Sequence, residues 1–440
     1  VRALTDLPRT GDTAAAVALL TSLELPAAID ELERVDDATR ALAVAALPDE
    51  TMVAVVERLD PSLQRDLLAR LDHAQAQHLL HALDPDDRVA LLDACPAALR
   101  EQLVAGLEPA EQALTRAVLA HRPGTVGRRM SPEVAAVPMS STVGEALEDV
   151  RAQAASAETI YTVAVVDEAN RVRGVISLRR LLATDPHVSL TAAMSRPVTV
   201  RTTDDQELAA QRLLDHRVVG VPVVAEDGRL VGVFTVDDAM LVLEQEVDED
   251  LARSGGTEPL DRPYLTTTIL GTARRRIVWL LVLIVAATLT VNVLNAFEDT
   301  LAEVVALALF IPLLIGTAGN TGAQASTTLT RALALGDVRF RDLPRVAGRE
   351  ALTGMLLGSA LAVVGLIPAV LVAGGQVAVV VGVTLVVICT LATTVGSCTP
   401  LLVQRIGLDP AVTSGPFITT FVDAVGLVVY FLVAGAVLGL

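Results

Sequence analysis

Lysine is absent from this chain. All 34 basic residues are arginine, set against 52 acidic ones, for a formal net charge of −18 over 440 residues. No arginine lies inside the long apolar runs that dominate the chain after Arg274. The stretch before Arg274 carries about −19 and the remainder about +1. A soluble part so acidic lacks the basic footprint that nucleic-acid binding needs. It suits divalent cations or, more plainly, a solvated surface. The cysteines number only three (Cys95, Cys389 and Cys398), which implies no disulfide framework. Residues 1–20 lack a basic region followed by an apolar core, so no signal peptide is expected. No Walker-type phosphate loop occurs, and ATP-driven transport is not expected.

What the second half does have is apolar length. About 20 apolar residues cross a hydrocarbon core, and five runs qualify, at 277–296, 304–328, 351–372, 377–403 and 416–440. Arg274, Arg275 and Arg276 precede the first run. Arg331, Arg339, Arg341, Arg345 and Arg349 separate the second from the third, and Arg405 separates the fourth from the fifth. The remaining two loops hold Glu298, Asp299 and Glu303, then the neutral Gly374, Gly375 and Gln376. The positive-inside rule puts the arginine side in the cytoplasm. The expectation is a multi-pass protein of the cytoplasmic membrane, its N-terminal part cytosolic and its C-terminus outside.

Asp423 is the one charge inside the fifth run, and no basic residue lies in any run to pair with it. A carboxylate at that depth costs roughly 2.5–3.5 kcal/mol on insertion scales, so it normally faces water or a bound ion. A permeating cation is the natural partner. The plain alternative is a protonated, hydrogen-bonded structural acid. Thr420 and Gly426, three residues to either side, share its helical face. The second run holds Pro312, then Gly316, Gly319, Asn320, Thr321, Gly322, Ala323 and Gln324. These residues are expensive in lipid. They predict a break where backbone carbonyls and amides face hydrated ions; the alternative is close helix packing through small residues.

The first half divides again. Leu47-Pro-Asp, Leu59-Asp-Pro, Leu71-Asp-His, Leu83-Asp-Pro and Cys95-Pro recur every twelve residues. Each unit reads as a turn, an Asp suited to a helix start, and a short apolar helix, a pattern that stacks into a superhelix. His78 and His81 share a helix face but have no third metal ligand, which makes them surface histidines. Further on, two passages match. Tyr161 to Ser177 and Gly220 to Thr235 each read as strand, acidic turn, strand, then Ser or Thr before a helix. This pair resembles tandem CBS domains, a regulatory module that often binds adenine nucleotides. The nucleotide pattern Gly232, Thr235 and Asp238 stands in the second copy, while the first has Arg180 at the Asp position. The acidic run Glu244, Glu246, Asp248, Glu249 and Asp250 follows, read as a solvated linker or a regulatory helix.

The whole chain resembles the MgtE family of magnesium channels. The motifs carrying the resemblance are Thr159-Ile-Tyr161, Thr235-Val-Asp-Asp238, Glu249-Asp250, Pro312 with Gly319-Asn-Thr-Gly322, and Asp409-Pro410 with Ser414-Gly-Pro416 and Asp423. The resemblance implies a multidomain fold. It comprises an α-helical superhelical N domain (1–126), tandem α/β CBS domains (127–188 and 189–250), a connecting helix (251–276) and a five-helix transmembrane domain (277–440). It implies a homodimeric Mg²⁺ channel rather than an enzyme, with Asp423 as pore carboxylate and Gly319, Asn320 and Thr420 lining the path. It also implies gating by cytosolic Mg²⁺ through Asp86 or Asp87, Asp205, Glu207, Asp238, Glu246, Glu249, Asp250 and Asp409. ATP or another adenine nucleotide is the further ligand it implies. Arg217 and Leu241 stand where related channels commonly have acids, and Ala323 stands where a polar residue is common. Competing readings are a channel for Co²⁺, Mn²⁺ or Ca²⁺, a non-conducting membrane sensor, and a membrane aspartyl hydrolase.

Overall fold

The computed structural model describes residues 4, 13–260, 264, 267–334, 336–407 and 415–439. These form two compact units, Val1–Glu246 with Leu260–Thr267 and Val247–Pro259 with Thr268–Leu440.

The first unit opens with short helices, from Thr13–Ser22 through Leu25–Arg34, Asp37–Ala45, Asp49–Val56, Pro61–Arg70, His73–Ala82, Pro85–Asp93 and Ala97–Ala105 to Pro109–Leu119. Aspartates start several of them as expected. Asp36 accepts from Ala38 and Thr39 N–H, Asp60 from Ser62, and Asp72 forms a capping box with Gln75. Most helices pack on the one two places along, and Leu47, Leu59, Leu83, Cys95 and Leu107 all enter one continuous core. A second period lies inside the twelve-residue one. Arg40, Gln64, Arg88 and Gln112 each donate to the carbonyl eight residues back, those of Leu32, Val56, Leu80 and Val104. Every second repeat thus supplies a polar side chain that satisfies the open C-terminal end of the preceding helix. Arg40 and Arg88 are buried in doing so.

The tandem copies follow as matching sheets. β1 (Ala136–Pro138) runs parallel to β2 (Thr162–Val166), which is antiparallel to β3 (Val172–Ser177). β4 (Val200–Arg201), β5 (Gly220–Val224) and β6 (Leu230–Thr235) repeat that order, bulge included. Bridges between Arg171 and Arg229 and between Ser131 and Val233 tie strands of the pair together.

The acidic run forms the helix Val236–Ser254. It ends at the turn of Gly255 and Gly256, the latter at φ 66°. The next helix begins at Ile269. The stretch 251–276, expected as one connecting helix, therefore holds the end of one helix, a glycine turn and the start of another.

The second unit contains four apolar helices long enough to cross a membrane among the described residues: Ile269–Ala296, Val305–Ala334, Phe340–Arg405 and Gly415–Leu438. Five runs were expected, and the third helix explains the difference. Within Leu343–Arg405 the backbone leaves helical geometry at Gly374, at φ 82° and ψ 176°. Its halves then run antiparallel: Gly354 lies against Cys389 and Thr393, Gly358 against Leu385 and Val386, and Gly382 against Ala362 and Leu366. The expected helix break at Gly319 is absent. Ile311–Ala334 is an unbroken helix with Pro312 in its first turn, where a missing N–H costs nothing.

Candidate functional site

Asp423 stands in the middle of the Gly415–Leu438 helix. Its Oδ1 is buried and accepts no hydrogen bond. A Cβ added at Gly319 would lie 3.4 Å from that oxygen and 3.1 Å from Cγ2 of Thr419. The glycine thus lets the carboxylate lie against the neighbouring helix. Gly322 does the same one turn on, where a Cβ would meet Ile418 at 3.0 Å. Inside the intact helix the Gly319 carbonyl is part of the helical ladder.

Asn320 is exposed in the single chain, as are Gln324, Thr327 and Thr328 at helical spacing along the same helix. Thr420 Oγ1 donates to the Pro416 carbonyl at 2.8 Å, and Thr419 does likewise at 2.9 Å. The structure brings Asp423, Gly319 and Thr419 together. Thr419 received no role from the sequence, although at four residues before Asp423 it shares the helical face as fully as Thr420 at three. Tyr430 was missed too: its hydroxyl donates to the Leu307 carbonyl at 3.0 Å in the core, fixing the Asp423 helix against the entrance to the glycine-rich one. Asp409 lies outside the described residues.

In the first unit, the acids that gather are fewer than expected and partly different. Asp86 and Asp87 open the helix Pro85–Asp93, and Asp238 sits in the first turn of Val236–Ser254. Burial drives the Asp86 carboxyl well above its ordinary range, with Asp238, Glu158 and Asp87 adding repulsion. Asp87 is pushed up to about 7 by burial and by the Glu57 and Asp84 charges. Glu158 reaches about 7 through burial and then Asp84 and Asp238. Asp238 also reaches about 7 through burial and through Asp87 and Asp237, despite the 2.6 Å bond it accepts from Thr235 Oγ1. Asp86 Oδ1 is buried without a partner. Asp84 stands at a helix start yet makes no cap, unlike Asp36, Asp60 and Asp72. Its repeat position suggests a cap, but its field acts on the cluster. Glu57 and Glu158 gave no motif signal at all, and Asp237 entered only as part of the Thr235-Val-Asp-Asp238 motif. Among the described residues no three such side chains converge as a ready-made metal cage.

The other expected sensor acids are engaged locally. Asp205 caps the helix Gln206–His216 through the Glu207 and Leu208 N–H groups. Glu207 accepts from Gln211 at 3.0 Å, and Glu246 from Gln206 at 2.9 Å. Glu249 pairs with Arg253, one helical turn on, and belongs with Asp250 to the second unit. Arg217 closes the Gln206–His216 helix in the left-handed region, at φ 53°. His78 and His81 bond Asp49 and Glu111 across neighbouring helices, at 2.9 and 2.5 Å. In the Gly232, Thr235 and Asp238 pattern, a Cβ at Gly232 would press on the Ser131 carbonyl at 2.5 Å, and Thr235 donates its hydroxyl to Asp238.

A family model described as the MgtE intracellular N domain matches residues 23–124, CBS domain models match 125–186 and 189–245, and an MgtE model described as a divalent cation transporter matches 311–433. The magnesium transporter MgtE of Thermus thermophilus is 41% identical over 330 residues, covering 74% of this chain and 73% of the relative. The chain belongs to the MgtE family. The magnesium transporter MgtE of Enterococcus faecalis is 36% identical over 315 residues, covering 70% of this chain and 68% of that one. Among solved structures, the cytosolic domain of the Mg²⁺ channel MgtE in complex with ATP matches at a TM-score of 0.50 and 34% identity, over 53% of this chain and 95% of that one. The MgtE family order of helical N domain, CBS pair and apolar helical region is the order seen here.

Proposed function

We propose that this chain conducts Mg²⁺ across the cytoplasmic membrane, with Asp423 as its ion-path carboxylate. The observation that carries the reading is the buried, unpartnered Oδ1 of Asp423, held against Gly319 in a bundle of apolar helices. Mg²⁺ keeps several of its waters and binds through one or two carboxylates. One Asp423 per chain meets that demand best when two chains meet on an axis, so we propose a homodimer. The reversal at Gly374 supports five crossings. With the arginine loops facing the cytosol, five crossings leave the C-terminus outside.

The cluster of Asp86, Asp87, Glu158 and Asp238 is proposed as the cytosolic Mg²⁺ sensor. Its donors are all oxygens, suited to a hard cation. Packed carboxylates repel one another unless a cation or a proton intervenes, so cation scarcity loosens these elements and abundance draws them together.

Mg²⁺ flux into proteoliposomes tests the reading. Asp423→Asn, which keeps the shape and loses the charge, is expected to lower flux at least about tenfold while the protein stays monodisperse. Unchanged flux would remove Asp423 from the path. The same assay with Co²⁺, Mn²⁺ and Ca²⁺ decides selectivity. No flux of any ion through well-folded wild type would favour the non-conducting sensor.

A further inference from the structure

We infer that the arginine-rich loop before the Gly374-broken helix, with Arg405, forms a binding site for an anionic phospholipid headgroup. Arg339 and Arg341 are exposed on either side of Phe340, whose ring lies 5.6 Å from the guanidinium carbon of Arg405. That contact gathers the end of the long helix to its start. Arg345 and Arg349 follow, one helical turn apart. Arg345 keeps 87% of its side chain exposed, and its ion pair to Asp342 is loose at 4.0 Å. Asp337, Asp342 and Glu350 are the acids in this segment, so the arginines outnumber them.

The helix itself tells what kind of molecule the site takes. Gly354, Gly358, Ala362, Gly365 and Ala369 recur at three- and four-residue spacing and are buried against the antiparallel half. Arg345 and Arg349 lie on the opposite face, which continues through the exposed Leu352, Leu356, Val363 and Ile367. From Leu352 to Ile367 the rise is roughly 22 Å at 1.5 Å per residue, most of a hydrocarbon core. Guanidinium groups followed at once by an apolar stripe match one amphiphile, with a phosphate head and an acyl tail. A soluble anion would use the arginines alone. Basic clusters at helix ends on the cytoplasmic side commonly recruit acidic lipid heads.

The test uses the full chain, purified in detergent and examined by native mass spectrometry with phosphatidylglycerol and phosphatidylcholine of identical acyl chains. Phosphatidylglycerol is expected to stay bound and phosphatidylcholine to leave. Removing two charges in Arg345→Gln/Arg349→Gln is expected to weaken phosphatidylglycerol binding roughly thirtyfold. Arg274→Gln/Arg276→Gln, on another helix, is expected to leave it unchanged. Should the first pair fail to fold, Arg341→Gln/Arg405→Gln probes the same site with the same expectation. Equal retention of both lipids, equal loss in both sets of variants, or full displacement by inorganic phosphate would each overturn the lipid assignment. Lipid retention is read without ion flux, so its failure is distinct from failure of the Mg²⁺ reading.

Discussion

At the residue scale, glycine does most of the work in the apolar unit. Gly396 faces Gly322 so closely that any added Cβ would strike the Gly322 carbonyl oxygen, which is backbone and has nowhere to go. At Gly322 the first obstacle is the Cγ2 methyl of Ile418, at 3.0 Å, a side-chain contact that a shift of a few tenths of an ångström relieves. Gly396→Ala is therefore expected to cost about 1–3 kcal/mol, in the range of overpacking, and Gly322→Ala distinctly less. Thermal unfolding in detergent checks the order; a reversed order would mean that Ile418 cannot give. This contact also shows where the sequence misleads. A glycine-rich run reads equally as a broken helix or as a packing stripe, and only the partner, Gly396, distinguishes them. It lies 74 positions along the chain from Gly322, beyond any local pattern. Asp423 was legible because a charge without a counter-charge is conspicuous in an apolar run. Asp86, Asp87 and Asp238 were reached by family resemblance. Glu57 and Glu158 had no local mark, since a cluster assembled from a helix, a loop and a second helix leaves no spacing to read.

At the element scale, the long helix is two helices joined by one residue. Gly374 sits in a backbone region essentially restricted to glycine, while nothing lies within 4 Å of a Cβ built there. Gly374→Ala separates backbone from packing: the expected loss of about 1–3 kcal/mol is wholly conformational. An unchanged unfolding midpoint would show that the turn relaxes into another conformation. The helical repeat makes the complementary point. Its twelve-residue period was legible in the Leu and Asp positions, because each turn needs the same cap. The alternation of Arg40, Gln64, Arg88 and Gln112 was not, because two residue types serve one purpose and only the bonds to Leu32, Val56, Leu80 and Val104 equate them.

At the scale of the molecule, charge is divided between its halves, about −19 before Arg274 and about +1 after it. Buried acids soften that imbalance near neutral pH. Asp87, Glu158 and Asp238 each titrate near 7 in the folded chain, because burial and neighbouring carboxylates oppose ionisation. Unfolded, they would titrate near the usual carboxylate value of about 4. Raised carboxyl values make the folded state bind more protons than the unfolded one between these limits, so stability falls as pH rises from about 4 to about 7. The metal-free full chain is therefore expected to unfold at a higher temperature at acid pH, above the onset of general acid denaturation, than at mildly alkaline pH. Mg²⁺ is expected to restore the difference at the alkaline end, where the carboxylates are ionised and free to bind it. Asp87→Asn and Asp238→Asn remove a repelling charge apiece, and each is expected to stabilise the alkaline, metal-free protein on the order of 2 kcal/mol. Both are also expected to flatten its response to Mg²⁺. Differential scanning fluorimetry across pH, with and without Mg²⁺, reads all of this. A pH profile identical in wild type and both variants would show that the cluster does not govern stability in this range. Variants stabilised without Mg²⁺ but still fully responsive to it would place the sensing ion elsewhere, among Asp205, Glu207, Glu246, Glu249 or Asp250.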